Sequence, residues 1–261
     1  MWIYIWTSEP KSIYVWTTPV KEVYVWTTKI RPSWWKPTAN TIAYYPFNWN
    51  ANDYSWNNRN LTTNGVTYTE TIANGNRCWT FTGTISNNGS KWWQWTSWVS
   101  MSNANMTLSV RAKTTGNWTD STYWANKWIL LGFHDSSASY WQNIKTAHQT
   151  TWYRALERWA WGNYIMTSAD TPTPYADWQW HHICATYNMS SVKLFVDWQL
   201  VSSWTGSITA QTASYCFYVG KYTNTYYWYA GQMSEVIFEK ATWTDVDVLA
   251  YYNWTKANYW L

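Results

Sequence analysis

The stretch at residues 177–202, DWQWHHICATYNMSSVKLFVDWQLVS, constrains the fold more than any other part of the chain. Residues 180–187 are rich in aromatic and β-favouring side chains, and residues 188–191 have the composition of a turn. Apolar Val192, Leu194 and Val196 alternate with polar Ser191, Lys193 and Asp197, the period-two pattern of a half-buried strand. Residues 197–198 follow where a two-residue hairpin turn is expected. The stretch therefore predicts two antiparallel strands and a short return.

Tryptophan stands at several turn positions where glycine is expected. The favoured pair for a two-residue turn is Asp-Gly, because both central residues need φ > 0, yet the chain has Asp197-Trp198. The chain contains 28 Trp and only 10 Gly, although tight turns depend on glycine. A tryptophan held at φ > 0 would cost about 1–3 kcal/mol. We call the following residues the turn tryptophans: Trp34, Trp35, Trp49, Trp56, Trp178, Trp198, Trp204 and Trp254.

Two explanations of the turn tryptophans remain open. Many of them are glycines in the living cell, if the lineage reads UGA as glycine and the gene has been translated here with UGA as tryptophan. Alternatively, the chain carries a genuine tryptophan-rich binding surface. TGG codons at Trp49, Trp56 and Trp198 would exclude the recoding. The residues expected to be true tryptophans are Trp79, Trp93, Trp180 and Trp243.

The hairpin resembles that of the laminin-G-like jelly rolls, in the concanavalin-A-like lectin/glucanase superfamily. The family pattern is roughly G-x-W-H-H-V-A-x-T-Y followed by L-Y-V-D-G, and the chain departs from it at Trp178 and Trp198. The matching residues are Trp180, His181, His182, Ala185, Thr186, Tyr187, Asn188, Leu194, Val196, Asp197 and Val201. Further similar stretches are TIAYYPFNWNANDYSWNN and YAGQMSEVIFE with the residues after it. The resemblance covers residues 40–261. It implies an all-β, two-sheet antiparallel jelly-roll sandwich with a short C-terminal helix.

The N-terminal part is a repeat of ten residues: IYIWTSEPKS, IYVWTTPVKE and VYVWTTKIRP. Each copy has a five-residue β-run followed by a turn, so we predict a three-strand β appendage over residues 1–30. It is expected to act as an assembly module, through which the chain forms a homo-oligomer or pairs with another chain, or as a spacer. Residues 31–39, with two prolines, are the predicted linker, and residues 40–261 are the jelly-roll domain.

The chain end and the cysteines complete the structural expectations. Thr244 followed by Asp247 predicts a capped helix start, with Val246, Leu249 and Ala250 as its apolar face.

The three cysteines, an odd number without C-x-x-C spacing, exclude zinc and thioredoxin-like sites. Cys184 and Cys216 lie in strand patterns, where buried free thiols are expected and a disulfide between them is the alternative.

Composition excludes several function classes. Charged residues are 12% of the chain and the net charge is +4, with basic residues scattered rather than clustered, so no nucleic-acid partner is expected. No apolar stretch approaches 18 residues, so membrane insertion is not expected. No signal peptide is visible. The polar, Thr-, Ser- and Asn-rich composition predicts an extracellular or cell-surface protein, a fragment of one, or a phage structural protein.

Catalysis is not expected. Glucanases share the implied fold and need two carboxyl groups about 5–5.5 Å apart, whereas Glu235 and Glu239 are four residues, about 13 Å, apart along a strand. His181 and His182 are neighbours on a strand and point to opposite faces, so they cannot act together. The chain is therefore predicted not to be an enzyme, with a polysaccharide hydrolase as the least favoured alternative.

Calcium is implied by the resemblance, because many relatives hold one Ca²⁺ with loop oxygens. The best local cluster is Asn50, Asp53 and Asn57, although Ser234 stands where the family has a second acid. The alternative for Asp53 is a turn-capping side chain.

The predicted function is non-catalytic carbohydrate binding or adhesion at an exterior surface, with a carbohydrate or a glycosylated surface partner. The alternative is a structural or assembly protein, such as a phage fibre or envelope component. Sugar sites combine aromatic faces with placed polar groups. The candidate ligand-binding residues are Asn224, Tyr226, Tyr227, Trp228 and Tyr229, with ordinary edge-strand packing as the alternative.

Overall fold

The structure is a computed structural model of the chain, and it divides into two compact units, Met1–Lys36 and Pro37–Leu261. Strands are numbered in chain order below. The residues that the structure describes are 14–15, 18–19, 23–25, 28–30, 37–47, 50–64, 67–71, 77–81, 92–94, 99–102, 105–114, 129–135, 141–146, 153–155, 157–160, 163–166, 177–188, 190–205, 212–220, 229 and 231–256.

The described part of the first unit consists of two short hairpins. The second repeat copy pairs Val15 with Thr18, and the third pairs Val25 with Thr28. Two residues, Trp-Thr, separate each pair in the sequence, which is the commonest hairpin loop length. Each described copy is therefore a hairpin, and the expected single strand per copy is wrong. The four strands are β1 (Tyr14–Val15), β2 (Thr18–Pro19), β3 (Val23–Val25) and β4 (Thr28–Ile30).

The second unit contains two large antiparallel sheets. The larger sheet has the order β19-β18-β17-β11-β21-β8-β7, and β5 also pairs with β21. Its strands are β5 (Thr41–Tyr45), β7 (Thr67–Thr71), β8 (Arg77–Phe81), β11 (Met106–Thr114), β17 (Trp180–Tyr187), β18 (Ser191–Val196), β19 (Gln199–Thr205) and β21 (Gly231–Glu239).

The smaller sheet has the order β14-β13-β12-β20-β9-β6, and β10 also pairs with β20. A separate pair is formed by β15 (Glu157–Ala160) and β16 (Asn163–Met166). The strands of the smaller sheet are β6 (Thr62–Asn64), β9 (Trp92–Gln94), β10 (Val99–Ser102), β12 (Ile129–Asp135), β13 (Trp141–Thr146), β14 (Tyr153–Ala155) and β20 (Thr212–Val219).

The core lies between these two sheets. Alternate residues of β11 and β17, such as Leu108 and Ile183, are fully buried together with Phe217 of β20. The rings of Phe217 and Phe238 meet edge to face at 4.3 Å, a favourable aromatic geometry. The expected all-β sandwich with a short C-terminal helix is thereby confirmed.

The predicted hairpin is present in the structure. β17 spans Trp180–Tyr187, as the sequence predicts. Val196 pairs with Gln199, so Asp197 and Trp198 form a two-residue turn, with φ of 48° and 71°. Both values are positive, as a type I′ turn requires.

The second unit starts earlier than residue 40. Thr38 accepts a backbone hydrogen bond from Thr41 at 3.0 Å, and its hydroxyl donates to Glu239 at 2.7 Å. These contacts tie residues 37–39, which we expected to be linker, to the start of β5 and the end of β21.

The C-terminal helix α1 spans Asp245–Thr255. The predicted capping box is confirmed: Asp247 N donates to the Thr244 hydroxyl, and Thr244 N donates to the Asp247 carboxylate. The predicted apolar face is wrong. Val246 is 73% exposed, and the buried residues of α1 are Val248, Tyr251 and Thr255.

A β-bulge lies in β21 opposite β11. Ser109 pairs with Ile237 and Arg111 with Ser234, so one residue of β11 faces Glu235 and Val236. Glu235 has φ of 52° and is 1% exposed. The extra residue turns the Glu235 side chain towards α1, where its carboxylate contacts a tyrosine of the helix.

Cys184 is a buried free thiol, as expected, and Cys78 is one as well; the side chain of Cys216 lies outside the described residues. Within the described part of the chain, no helix is long and apolar enough to cross a membrane.

Candidate functional site

One end of the sandwich gathers the ends of several strands. We name it the Thr114 end, after the last residue of β11. Tyr229 N donates to Gly220 O at 2.7 Å, and the Tyr229 hydroxyl lies 3.2 Å from the Thr114 hydroxyl. Trp178 N donates to Thr114 O at 3.3 Å. The turn at residues 197–198 joins the same end, because Asp197 N donates to His182 O at 2.8 Å near the start of β17.

Close packing maintains this junction. A Cβ on Gly220 would lie 2.5 Å from ring carbons of Phe81, and Gly220 has φ of 78°. Only glycine fits such a position without strain. The β20 end is thereby held against β8, and Tyr229 packs edge to face on the same Phe81 ring at 5.7 Å.

Three chain segments begin or end at these described residues. Residues 115–128 follow Thr114, residues 167–176 precede Asp177, and residues 221–228 connect Gly220 to Tyr229. The segments are TGNWTDSTYWANKW, TSADTPTPYA and KYTNTYYW; all three are rich in polar side chains, and the first and third are also rich in aromatic ones. Because their described flanks lie together, the Thr114 end is the candidate functional site.

His181 is the best-defined polar group of this end. Its Nδ1 lies 2.6 Å from Asp197 Oδ2 and its Nε2 lies 3.1 Å from Asp177 Oδ1. Burial lowers the pKa of His181, but the hydrogen bonds and charges of Asp197 and Asp177 outweigh burial, so this pKa is raised above its usual value. The His181 imidazole thus lies between the Asp177 and Asp197 carboxylates and contacts both.

Of the five predicted ligand-binding residues, the structure describes Tyr229. Tyr229 is 1% exposed, and its hydroxyl donates to Lys113 O at 3.1 Å and Gln232 O at 3.2 Å. It is a core residue, so the expectation that it faces a ligand is wrong and the packing alternative holds for it. Asn224, Tyr226, Tyr227 and Trp228 lie outside the described residues, and their role stays a prediction.

The expected calcium ligands serve a different purpose. Asp53 is 7% exposed, and its Oδ1 accepts from Tyr44 N at 3.0 Å and Ser55 N at 2.8 Å. Its Oδ2 accepts from the Ser55 hydroxyl at 2.7 Å and Arg59 N at 2.8 Å. Four donors thus occupy the carboxylate, which organises the loop as a turn-capping side chain.

The other two expected ligands are also engaged in the loop. Asn57 Nδ2 donates to Thr41 O at 2.8 Å, and Asn50 Oδ1 accepts from Asn52 N at 2.9 Å. Among the described residues no group of three or more His, Cys, Asp or Glu is placed to hold a metal ion. The Asp53 oxygens are already engaged by loop donors, and Ca²⁺ at Asn50, Asp53 and Asn57 stays a prediction.

The second polar cluster lies on the outer face of the larger sheet, beneath α1. Arg111 is fully buried, and its Nε and Nη2 donate to the Thr255 hydroxyl at 3.0 and 2.6 Å. His182 lies 2.8 Å from the Ser109 hydroxyl. Burial lowers the pKa of His182 and the positive charge of Arg111 lowers it further, so this ring is neutral at pH 7. The helix covers the cluster, which therefore serves packing.

The histidine pair behaves as strand geometry predicts. His181 faces Asp177 and Asp197, and His182 faces Ser109 under the helix. The two rings lie on opposite faces of β17, so they share no chemistry.

The two glutamates considered for hydrolysis are both buried. Glu235 accepts hydrogen bonds from the hydroxyls of Tyr44 at 2.5 Å and Tyr251 at 3.3 Å. Glu239 accepts from the hydroxyls of Thr38 and Thr41. Burial raises the pKa of Glu239, and these hydrogen bonds partly offset the rise. Glu235 is 1% exposed and Glu239 is 2% exposed.

The turn tryptophans fall into two groups. Trp56, Trp178 and Trp198 are 79%, 54% and 44% exposed, and the last two have positive φ, 65° and 71°. Trp204 lies instead in β19, packed against the core, and Trp254 lies in α1, so the expected turn positions of these two are wrong. Trp34, Trp35 and Trp49 lie outside the described residues. By contrast, three of the expected true tryptophans, Trp79, Trp180 and Trp243, are at most 8% exposed.

Sequence reasoning missed the approach of Asp177 and Asp197 to one histidine. The signal for Asp177 was its spacing of four from His181, but that spacing implies contact on a helix rather than on a strand. The contact arises because Asp177 precedes β17 and turns back. The contact of His181 with Asp197 depends on the pairing of β17 with β18. A sequence pattern alone does not give the register of that pairing.

Comparisons with known proteins identify the fold. No known family matches the chain, and no curated protein matches it. Solved structures do match. Domain 4 of AbnA, a GH43 extracellular arabinanase from Geobacillus stearothermophilus, solved in complex with arabinotriose, aligns with a TM-score of 0.57 at 15% identity, over 80% of this chain and 97% of that domain.

Two toxin domains are similar to the chain as well. The binding domain of Paraclostridial Mosquitocidal Protein 1 aligns with a TM-score of 0.57 at 16% identity, over 82% of this chain and 52% of that one. The binding domain of botulinum neurotoxin serotype G aligns with a TM-score of 0.55 at 11% identity, over 82% of this chain and 50% of that one. The chain thus spans about half the length of these two binding domains. At such identities the similarity establishes a jelly-roll β-sandwich fold.

Proposed function

We propose that the chain is a non-catalytic carbohydrate-binding module of a protein at an exterior surface. The observation that carries the proposal is the convergence, at the Thr114 end, of the described flanks of three polar segments, two of which (115–128 and 221–228) are also rich in aromatic residues. Sugar recognition needs aromatic faces with a few placed polar groups, and segment 221–228 supplies Asn224, Tyr226, Tyr227 and Trp228.

The similar structures support this choice of ligand class. One was solved with a bound arabinotriose, and the others are binding domains of toxins. The fold alone does not carry function; the support comes from the same fold together with the residue types at the Thr114 end. The resemblance of the hairpin to laminin-G-like domains points in the same direction.

The absence of catalysis is part of the proposal. Glu235 and Glu239 are 1% and 2% exposed, and hydroxyl donors already contact both carboxylates. A glycosidase acid must reach the glycosidic oxygen. Release of reducing sugar from a polysaccharide by the purified chain, lost on Glu235→Gln, would contradict the proposal.

We also propose that Trp178 and Trp198 are glycines in the living cell. Both have positive φ and expose large rings, whereas Trp79, Trp180 and Trp243 are buried. Glycine adopts positive φ without the steric cost that tryptophan meets. TGA codons at both positions would support the recoding, and TGG codons would refute it. The binding tests below therefore use both the printed chain and Trp178→Gly/Trp198→Gly.

A glycan array tests the function. Both forms of the protein are applied, together with Tyr226→Ala/Tyr227→Ala and with Tyr54→Ala as a matched control. Tyr54 is 50% exposed in the loop at residues 50–59, so its removal takes an exposed aromatic away from a different loop. Selective binding that is lost in the Tyr226/Tyr227 variant and kept in Tyr54→Ala is expected. A folded protein that binds no glycan would refute the proposal.

A second function, assembly, is favoured by the repeat. The described copies form regular hairpins within a separate compact unit. If residues 1–36 drive oligomerisation, sedimentation will show an oligomer for the full chain and a monomer after their deletion. A monomeric full chain would remove this alternative.

A further inference from the structure

The two contacts of His181 require a particular protonation state. Nδ1 faces Asp197 at 2.6 Å and Nε2 faces Asp177 at 3.1 Å. An ionised carboxylate only accepts hydrogen bonds, and a neutral imidazole has a single N–H. Both contacts are hydrogen bonds only when each ring nitrogen carries a proton.

The two carboxylates are held to different degrees. Asp197 Oδ1 also accepts from His182 N at 2.8 Å, and Asp197 N donates to His182 O at 2.8 Å, so this turn is fixed to β17. The Asp177 side chain is 42% exposed, and its other contact in the same loop is with Gln179 N at 2.9 Å. When the ring loses a proton, the remaining N–H stays with Asp197, and the lone pair of Nε2 faces an oxygen of Asp177.

We propose that His181 is a proton-dependent clamp, which ties Asp177 to the Asp197 turn when the ring is charged and releases Asp177 when the ring is neutral. Asp177 and Trp178 lead into β17 at the Thr114 end, so the clamp controls how firmly these two residues are held there. The inference goes beyond the proposed binding function, since it concerns the protein without ligand.

Among the described residues, Asp197 and Asp177 are the charged groups that raise the pKa of His181. The β11 residue that pairs with His181 is Ala112. Its charged neighbours Arg111 and Lys113 project from the other face of the strand. From α1, Tyr252 is the titratable group close to Asp197: burial raises the pKa of Tyr252, and the charge of Asp197 raises it further.

The direction of the pH effect follows from these groups. Burial lowers the pKa of His181, and the two carboxylates raise it above its usual value of about 6.5. A raised folded-state pKa means that the clamp is fully engaged below pH 6.5 and is lost as pH rises through the folded-state pKa.

Nitrogen-15 NMR of the histidine rings in the full chain tests the clamp, and His182 serves as an internal reference because its ring is neutral. Asp177→Asn removes one charge from an exposed position, and Asp245→Asn is the matched control on α1, where the side chain is 57% exposed. We expect both His181 nitrogens to be protonated at pH 6.5. The midpoint should fall by about one pKa unit in Asp177→Asn and stay unchanged in Asp245→Asn.

Release of Asp177 is measured separately. Amide exchange at Trp178, whose N–H donates to Thr114 O, should accelerate beyond the intrinsic pH effect as His181 titrates, and His181→Gln should abolish that acceleration. A His181 midpoint at or below 6.5, or an equal midpoint in Asp177→Asn, would overturn the proposal. Titration with unchanged exchange at Trp178 would overturn it too, because the ring would then change charge without releasing Asp177.

Discussion

The guanidinium carbon of Arg111 lies 4.8 Å from the centre of the Tyr252 ring, and its Nη2 donates to Tyr252 O at 2.9 Å. The fully buried side chain of Arg111, on the larger sheet, thus holds the C-terminal helix through the ring and the backbone carbonyl of Tyr252. Cation–π contacts of this kind strengthen when they are desolvated. The helix is therefore attached by polar contacts as well as by its apolar residues.

Arg111→Met should detach this end of the helix. The change keeps much of the side-chain volume but removes the hydrogen bonds to Thr255 and to Tyr252 O, which costs about 2–4 kcal/mol. Urea unfolding measures the loss. Lys193→Met is the matched control, since Lys193 also links sheet to helix through Asp245 at 2.6 Å but is exposed. Such surface pairs contribute about 0–1 kcal/mol. Equal losses in the two variants would contradict this account.

Replacing tryptophan by glycine should have opposite effects at neighbouring positions. Trp178→Gly and Trp198→Gly remove the steric strain of a tryptophan at positive φ at two exposed sites. Each should therefore stabilise the domain by about 1–2 kcal/mol. Trp180→Gly empties a site that is 6% exposed and should cost about 3–5 kcal/mol. Thermal unfolding of the three variants measures the differences. Destabilisation at all three positions would argue that the printed tryptophans are native.

His182 should make the fold sensitive to acid. Burial and the charge of Arg111 hold its pKa below the usual value of about 6.5, so as pH falls below 6.5 the unfolded chain gains a proton that the folded chain does not. Stability is then lost as pH falls. His182→Gln should flatten the urea-unfolding profile below pH 6.5 relative to the parent. An identical slope in parent and variant would show that other groups cause the loss.

Removal of divalent cations should leave the fold unchanged. The Asp53 carboxylate already accepts four hydrogen bonds from its own loop, so EDTA should not shift the melting temperature and Ca²⁺ should not raise it. Asp53→Ala, by contrast, should destabilise the domain by about 2–4 kcal/mol because buried donors lose their acceptor. A melting temperature that rises with Ca²⁺ and returns in EDTA would restore the calcium interpretation.

Much of the fold was readable from local patterns. The strand at residues 191–196, the tight turn at residues 197–198 and the Thr244–Asp247 cap each depend on neighbours a few residues apart, and each is present in the structure. The helix face could not be read in this way. The apolar Val246 is exposed and the polar Thr255 is buried. Thr255 can be buried because Arg111, on β11, donates hydrogen bonds to its hydroxyl.

The candidate site was predictable only in part. Asn224, Tyr226, Tyr227 and Trp228 follow from residue type, but Tyr229 shows the limit of that reasoning. The same ring can face a ligand or fill the core, and its hydrogen bonds to Lys113 O and Gln232 O place it in the core. Asp53 shows the same limit, since a carboxylate suits a metal or a loop amide equally well until its donors are known.

Short-range chemistry is what the chain carries in its sequence: strand period, turn residues, helix cap and the mismatch between tryptophan and tight turns. These depend on backbone sterics and on spacings of two to four residues. Only the folded structure brings Asp177 and Asp197 to one imidazole, Arg111 to Thr255, and Glu235 to Tyr44. The physical reason is that strand register, the bulge in β21 and the docking of α1 set these distances. All three arise from packing between segments far apart in the chain.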